Sequence, residues 1–104
     1  MKILFINGPN LNLLGKREPE QYGCMTLQKI NEMIENCARK ENVTAVFFQS
    51  NAESALIDEI HRAMGMCDGI VINPGAYTHS SIALRDAITA QPFVVSELSQ
   101  KIQV

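Results

Sequence analysis

The sequence predicts an α/β domain built on a parallel sheet, and three observations carry that prediction. Short β-rich runs alternate with stretches of helical periodicity in the order β-α-β-α-β-α-β, which calls for parallel strands joined by right-handed crossovers. The first and third strand-like runs end in Asn7-Gly8-Pro9 and Asn73-Pro74-Gly75, punctuation that stops a strand abruptly. Every connection is short except the one from Gly8 to Cys24, and a loop of that length inside a compact domain is usually functional.

Taken in order, Lys2 to Asn7 (KILFIN) is an apolar run of the kind buried on both faces of a parallel sheet. Thr26 to Glu41 carries Leu27, Ile30, Ile34, Cys37 and Ala38 at helical spacing, with Thr26 as its N-cap. Val43 to Gln49 is β-branched and aromatic, hence a second strand. Asn51 is placed to cap a second helix with Leu56, Ile60 and Ala63 on its inner face and Gly65 as its stop. Gly69 to Asn73 (GIVIN) is a third buried strand, a third helix is expected from about Ser80 to Thr89, and Phe93-Val94-Val95 reads as a fourth strand.

Composition bounds what such a chain does. With 104 residues, 46% hydrophobic and 19% charged, it reads as one domain over residues 1–104, neither disordered nor fibrous. A domain of this size hides roughly 65% of its unfolded surface, enough for one core. Nine basic against eleven acidic residues leave a net charge of −2, without the basic stripe that nucleic-acid binding requires. No apolar run approaches the ~20 residues of a membrane helix, and the apolar opening is too short for a signal peptide. Three widely spaced cysteines without a C-x-x-C and two histidines argue against zinc or a disulfide framework. The expectation is a cytoplasmic protein with no metal and no membrane or nucleic-acid partner.

In open parallel sheets ligands bind beyond the carboxyl ends of the strands, where the long loop and the Asn73–Gly75 turn both lie. The loop holds Asn10, Asn12, Lys16, Arg17, Glu18, Glu20 and Tyr22. Two readings fit Arg17 and Tyr22. A guanidinium beside a phenol favours the phenolate and makes tyrosine a base; alternatively, Arg17 is a solvated cation and Tyr22 packs the loop down. His79 and Ser81 fall where the third helix begins, either as an anion- or hydroxyl-binding turn or as plain helix capping. Arg85 and Asp86 form an exposed pair or an interface element, and His61 falls at the surface. No G-x-G-x-x-G, phosphate-binding G-x-x-x-x-G-K-[ST] or G-x-S-x-G motif is present, and Asn7 and Asn73 stand where a receiver domain would carry aspartates.

The stretch Asn7-Gly8-Pro9-Asn10-Leu11-Asn12-Leu13-Leu14-Gly15-Lys16-Arg17-Glu18-Pro19-Glu20, followed by Tyr22-Gly23, resembles the opening of the type II 3-dehydroquinate dehydratases. Gln49-Ser50-Asn51-x-Glu53 with Leu56 to His61 resembles that family's second strand and helix, and Asp68 through Ala87 its third. The resemblance spans roughly residues 1–95. It implies a flavodoxin-like three-layer α/β/α domain assembled as a homododecamer of trimers. It also implies dehydration of 3-dehydroquinate to 3-dehydroshikimate in the shikimate pathway, with no cofactor. On that resemblance Tyr22 is the base, Arg17 holds it as phenolate on a lid, and Asn10 helps bind a water that stabilises the enolate. Asn73 and His79 bind substrate hydroxyls, and Asp86 reaches a neighbouring subunit's site.

The departure is C-terminal. After its fourth strand the family carries His-Leu-Ser-Asn, then an Ala-Arg-Glu segment, a fifth strand and a last helix. Here Glu97-Leu98-Ser99-Gln100 occupies the first of these positions. Leu98 and Ser99 fit, their main-chain N–H groups being available for the substrate carboxylate, whereas Glu97 replaces the histidine of the general-acid step. The sequence ends at Val104, so the expectation is a C-terminally truncated copy, divergent from about residue 96 and lacking the fifth strand and final helix. Either it is an enzyme of impaired turnover, or it is a non-catalytic binding subunit or inactive remnant.

Overall fold

The computed structural model describes residues 1–16, 25–75 and 87, together with the main chain of 95–97. The predicted parallel sheet is there. β1 (Lys2–Asn7), β2 (Thr44–Gln49), β3 (Gly69–Asn73) and β4 (Val95–Glu97) stand in the order β2-β1-β3-β4, every neighbouring pair parallel. α1 (Leu27–Lys40) joins β1 to β2, and α2 (Glu53–Ala63) joins β2 to β3.

The strand order fixes the layers. From β1 to β2 the chain steps one way along the sheet, and from β2 to β3 it steps back the other way. Right-handed crossovers therefore put α1 and α2 on opposite faces. The step from β3 to β4 repeats the direction of β2 to β3, and Ala87, the described helical residue between them, is buried in the same cluster as α2. The core agrees: Leu4, Ile6, Ile70 and Ile72 of the sheet cluster with Leu56, Ile60 and Ala63 of α2 and with Ala87, all buried. Val46 and Phe48 pack against this cluster from β2.

The α1 face is more thinly covered. Phe5 and Phe47, register partners on β1 and β2, stack with ring centroids 5.5 Å apart, yet both remain half-buried. Helix α1 buries none of its residues completely. β1 and β3 accordingly alternate between buried and half-buried residues, where the sequence predicted strands buried on both faces. Cys37, expected on the inner stripe of α1, is exposed, and the half-buried stripe is Leu27, Ile30, Asn31, Ile34 and Ala38.

Element ends follow local chemistry. Thr26 caps α1 as expected, its hydroxyl accepting the Lys29 N–H at 3.1 Å. Gly65 adopts φ +81°, just past the end of α2, the left-handed stop expected of it. Asn51 does not cap α2. The cap residue is Ala52, whose N–H is taken by the Ser50 hydroxyl at 3.0 Å, because the Asn51 side chain is engaged elsewhere. β2 starts at Thr44 rather than Val43, whose N–H turns back to the Ala38 carbonyl at 2.8 Å. β4 runs over Val95–Glu97, so Glu97 lies within the fourth strand and not after it. Phe93 and Val94 lie outside the described residues, as does the predicted third helix apart from the helical Ala87.

Candidate active site

The carboxyl ends of β1, β2 and β3 finish level with one another. Asn7 is the register partner of both Gln49 and Asn73, so three carboxamides form one row across three strands. Parallel neighbours in register share a face, and the alternation of β1 puts this row on the α1 side, two residues beyond the Phe5–Phe47 stack. A row of neutral amides can both donate to and accept from ligand hydroxyls without introducing charge.

The loops leaving these strands are tied to one another. The Gly8 N–H donates to the Asn73 carbonyl at 2.8 Å, and the Ser50 N–H to the Asn7 carbonyl at 3.1 Å. Gly8 is dictated by contact: a Cβ there would sit 2.3 Å from the Pro74 carbonyl oxygen. Gly75 takes φ +61° and donates its N–H to Asn73 Oδ1 at 3.2 Å, a side-chain turn that fixes the Asn73 carboxamide. The first and third strand ends are thereby pressed together main chain to main chain.

Asn10, predicted to serve the chemistry, is exposed and left-handed, with φ 68° and ψ −2°. It precedes a single 3₁₀ turn, Leu11–Leu13, to which its side chain gives no capping hydrogen bond. The buried Leu11 anchors that turn. The main-chain N–H of Asn10 donates to Asn51 Oδ1 at 3.0 Å. Gln49 Nε2 reaches the Gly8 carbonyl at 3.1 Å, Asn51 Oδ1 at 3.2 Å and Asn12 Oδ1 at 3.3 Å. With two N–H bonds for three acceptors, at least one of these hydrogen bonds is shared.

Of the residues singled out from sequence, Asn10 and Asn73 are thus brought to the same edge of the sheet. Glu97 is located through its main chain alone: it pairs with Ile72, one register step before the amide row. Arg17, Tyr22, His79, Asp86, Leu98 and Ser99 lie outside the described residues. Sequence reasoning missed Gln49 and gave Asn51 the wrong task. Gln49 as the last residue of a predicted strand and Asn51 two positions on, at the ligand side of a parallel sheet, were the available signal. His61 is exposed on α2, as expected.

Among the described residues no group of three His, Cys, Asp or Glu side chains is placed to hold a metal ion. Among them also, no helix is long and apolar enough to cross a membrane. A cleft of about 310 Å³ opens on the α2 face at the other end of the sheet, between Lys2, Val46, Arg62, Met66 and Cys67. It includes none of the strand-end residues, and parallel-sheet architecture favours the carboxyl edge as the reacting end.

Comparison with known proteins points the same way. The profile of the family described as dehydroquinase class II matches residues 1–101. The chain is 57% identical to a 3-dehydroquinate dehydratase of Synechococcus sp. strain CC9902, over 95% of this chain and 69% of that protein. A crystal structure of a type II dehydroquinase from Butyrivibrio crossotus superimposes with a TM-score of 0.87 at 46% identity, over 95% of this chain and 68% of that one. One from Propionibacterium acnes gives 0.86 at 33% identity, over 92% and 66%. The chain therefore spans about two-thirds of the length of the relatives it matches.

Proposed function

The chain belongs to the class II dehydroquinase family, and from that premise we propose that it acts on 3-dehydroquinate as a type II dehydratase of the shikimate pathway. The observation that carries this reading is the strand-end edge itself. The described parts of the three segments with the family's motifs meet there, Asn10 on the loop after β1 and Asn73 at the end of β3, tied together by the Gly8 N–H to Asn73 carbonyl hydrogen bond.

In the proposed reaction the Tyr22 phenolate, stabilised by Arg17, removes a proton α to the substrate ketone. The electron pair passes into an enolate, whose oxygen is met by a water that Asn10 helps to hold. Collapse of the enolate expels the hydroxyl, which takes a proton from the Glu97 carboxyl group or, where that is ionised, from solvent, and leaves as water, giving 3-dehydroshikimate. Asn73 and His79 bind substrate hydroxyls, the main-chain N–H groups of Leu98 and Ser99 bind the carboxylate, and Asp86 is supplied to a neighbouring subunit. No metal or organic cofactor enters the proposed chemistry. The same reading takes residues 1–104 as one domain, the assembly as a homododecamer of trimers, and the location as cytoplasmic.

Position 97 is where we expect the rate to suffer. A general acid is typically worth ~10²–10⁴ in rate, and a carboxylic acid of ordinary pKa, ~4.3, is largely deprotonated at neutral pH. We therefore propose slow turnover with retained substrate binding. Purified protein is to be assayed by the enone absorbance of 3-dehydroshikimate, with binding followed by calorimetry. Binding with slow turnover that Tyr22→Phe abolishes supports the reading. Binding with no turnover makes the chain a non-catalytic binding subunit, and neither binding nor turnover removes the proposal.

A further inference from the structure

We propose that Gln49 is a positioning residue for Asn10 and Asn12, acting by forcing the polarity of an amide relay; the reaction served is that of the preceding reading, whereas the relay rests on hydrogen-bond geometry alone. Two ends of the relay are fixed by groups that cannot reverse. The Gly8 carbonyl can only accept, so the Gln49 carboxamide must turn its nitrogen toward it, at 3.1 Å. The Asn10 main-chain N–H can only donate, so Asn51 must turn its oxygen toward it, at 3.0 Å. Between these ends Gln49 Nε2 faces Asn51 Oδ1 at 3.2 Å and Asn12 Oδ1 at 3.3 Å. Both asparagine oxygens are therefore held on the Gln49 side. A carboxamide is planar, with its oxygen and nitrogen on opposite branches, so the Asn12 NH₂ is directed away from Gln49.

Two consequences reach the site. Asn10 is held left-handed at φ 68° by an acceptor that is itself oriented by Gln49. Asn12, exposed beside it, presents a donor outward, suited to a ligand oxygen or an ordered water. Gln49 is half-buried at the end of β2, and the proposed reaction gives it no proton to move. Its effect passes through its neighbours.

The isosteric change Gln49→Glu tests this, because it sets an acceptor-only carboxylate against three oxygens while preserving shape. Amide hydrogen exchange is to be followed by NMR in the full chain, with 3-dehydroquinate titrated in parallel. We expect the Asn10 amide to exchange about tenfold faster in Gln49→Glu, the size of one lost hydrogen bond, while Ile6 and Ile72 stay protected. Affinity for 3-dehydroquinate falls by a similar factor. Asn51 is exposed, so its variants spare the core: Asn51→Asp, which keeps the acceptor, retains Asn10 protection, and Asn51→Leu loses it. Equal Asn10 exchange in wild type and Gln49→Glu overturns the proposal, as does a loss that spreads to Ile6 and Ile72. If the wild-type chain does not respond to 3-dehydroquinate while Asn10 protection still depends on Gln49, the relay stands and the dehydroquinase reading falls.

Discussion

Asn51 Oδ1 accepts the main-chain N–H of Asn10 at 3.0 Å, across 41 positions of sequence. The magnitudes explain why this one contact decides the loop. A left-handed backbone costs an ordinary L-residue about 1–2 kcal/mol, and asparagine is among the residues that tolerate it best. A net hydrogen bond returns about 1 kcal/mol. The two are of one size, so a single acceptor of correct polarity makes the left-handed Asn10 the resting state. The second strand thereby sets the conformation of a residue on the first loop, and the amide row Gln49–Asn7–Asn73 keeps the third loop in the same frame.

Gly8→Ala is expected to damage that frame. Its Cβ would lie 2.3 Å from one main-chain atom and 2.7 Å from another, both of Pro74, and neither can swing aside as a side chain would. Overpacking of this kind typically costs about 1–3 kcal/mol. Gly65→Ala is the contrast: nothing lies within 4 Å of its Cβ, but φ is +81°, so the cost is conformational, about 1 kcal/mol. Urea unfolding should show both losses. Ligand binding at the strand ends should suffer in Gly8→Ala alone.

Truncation on the two faces of the sheet should cost unequal amounts. Leu56 on α2 is completely buried, and Leu→Ala at such sites costs about 2–5 kcal/mol. Ile34 on α1 is only half-buried, so Ile34→Ala should cost about half as much, following the area it removes from water. Equal shifts in the urea midpoint would contradict the layer assignment.

Thr26→Ala should remove about 1 kcal/mol. The hydroxyl satisfies the Lys29 N–H in the first turn of α1, and alanine leaves that donor to solvent. Threonine-to-serine exchange, which keeps the oxygen, should restore most of the loss.

Much of this was legible in the chain, for reasons that differ by element. The bounds of β1 and β3 are legible to the residue, because Asn-Gly-Pro and Asn-Pro-Gly stop a strand sharply. The inner face of α2 was read equally well, since Leu56, Ile60 and Ala63 repeat at helical spacing and all three are buried. Cys37 was misplaced because periodicity reports which residues share a face, not how much of it the sheet covers. Asn51 was misassigned because a cap and a long-range acceptor look alike in sequence. No side chain caps α2: the Ser50 hydroxyl accepts the N–H of Ala52, the residue at the cap position, while Asn51 accepts from Asn10. Gln49 offered only its place at the carboxyl end of a predicted strand; its task exists only once β1 and β2 lie side by side.

Glu97→His should raise turnover. In register, the main chain of Glu97 pairs with Ile72, one step before Asn73, so position 97 lies near the carboxyl end of the sheet, where the proposed reaction takes place. An imidazolium with a pKa near ~6.5 donates a proton at neutral pH far more readily than a carboxylic acid near ~4.3, most of which is already ionised there. Restoring the donor should recover part of the ~10²–10⁴ attributable to a general acid, with KM little changed, because proton donation to the departing hydroxyl belongs to the transition state. The gain should fade as pH rises through the histidine pKa, when the donor is lost. Steady-state kinetics of enone formation across pH 5–9 provide the check. An unchanged kcat would place the acid elsewhere than at the end of β4.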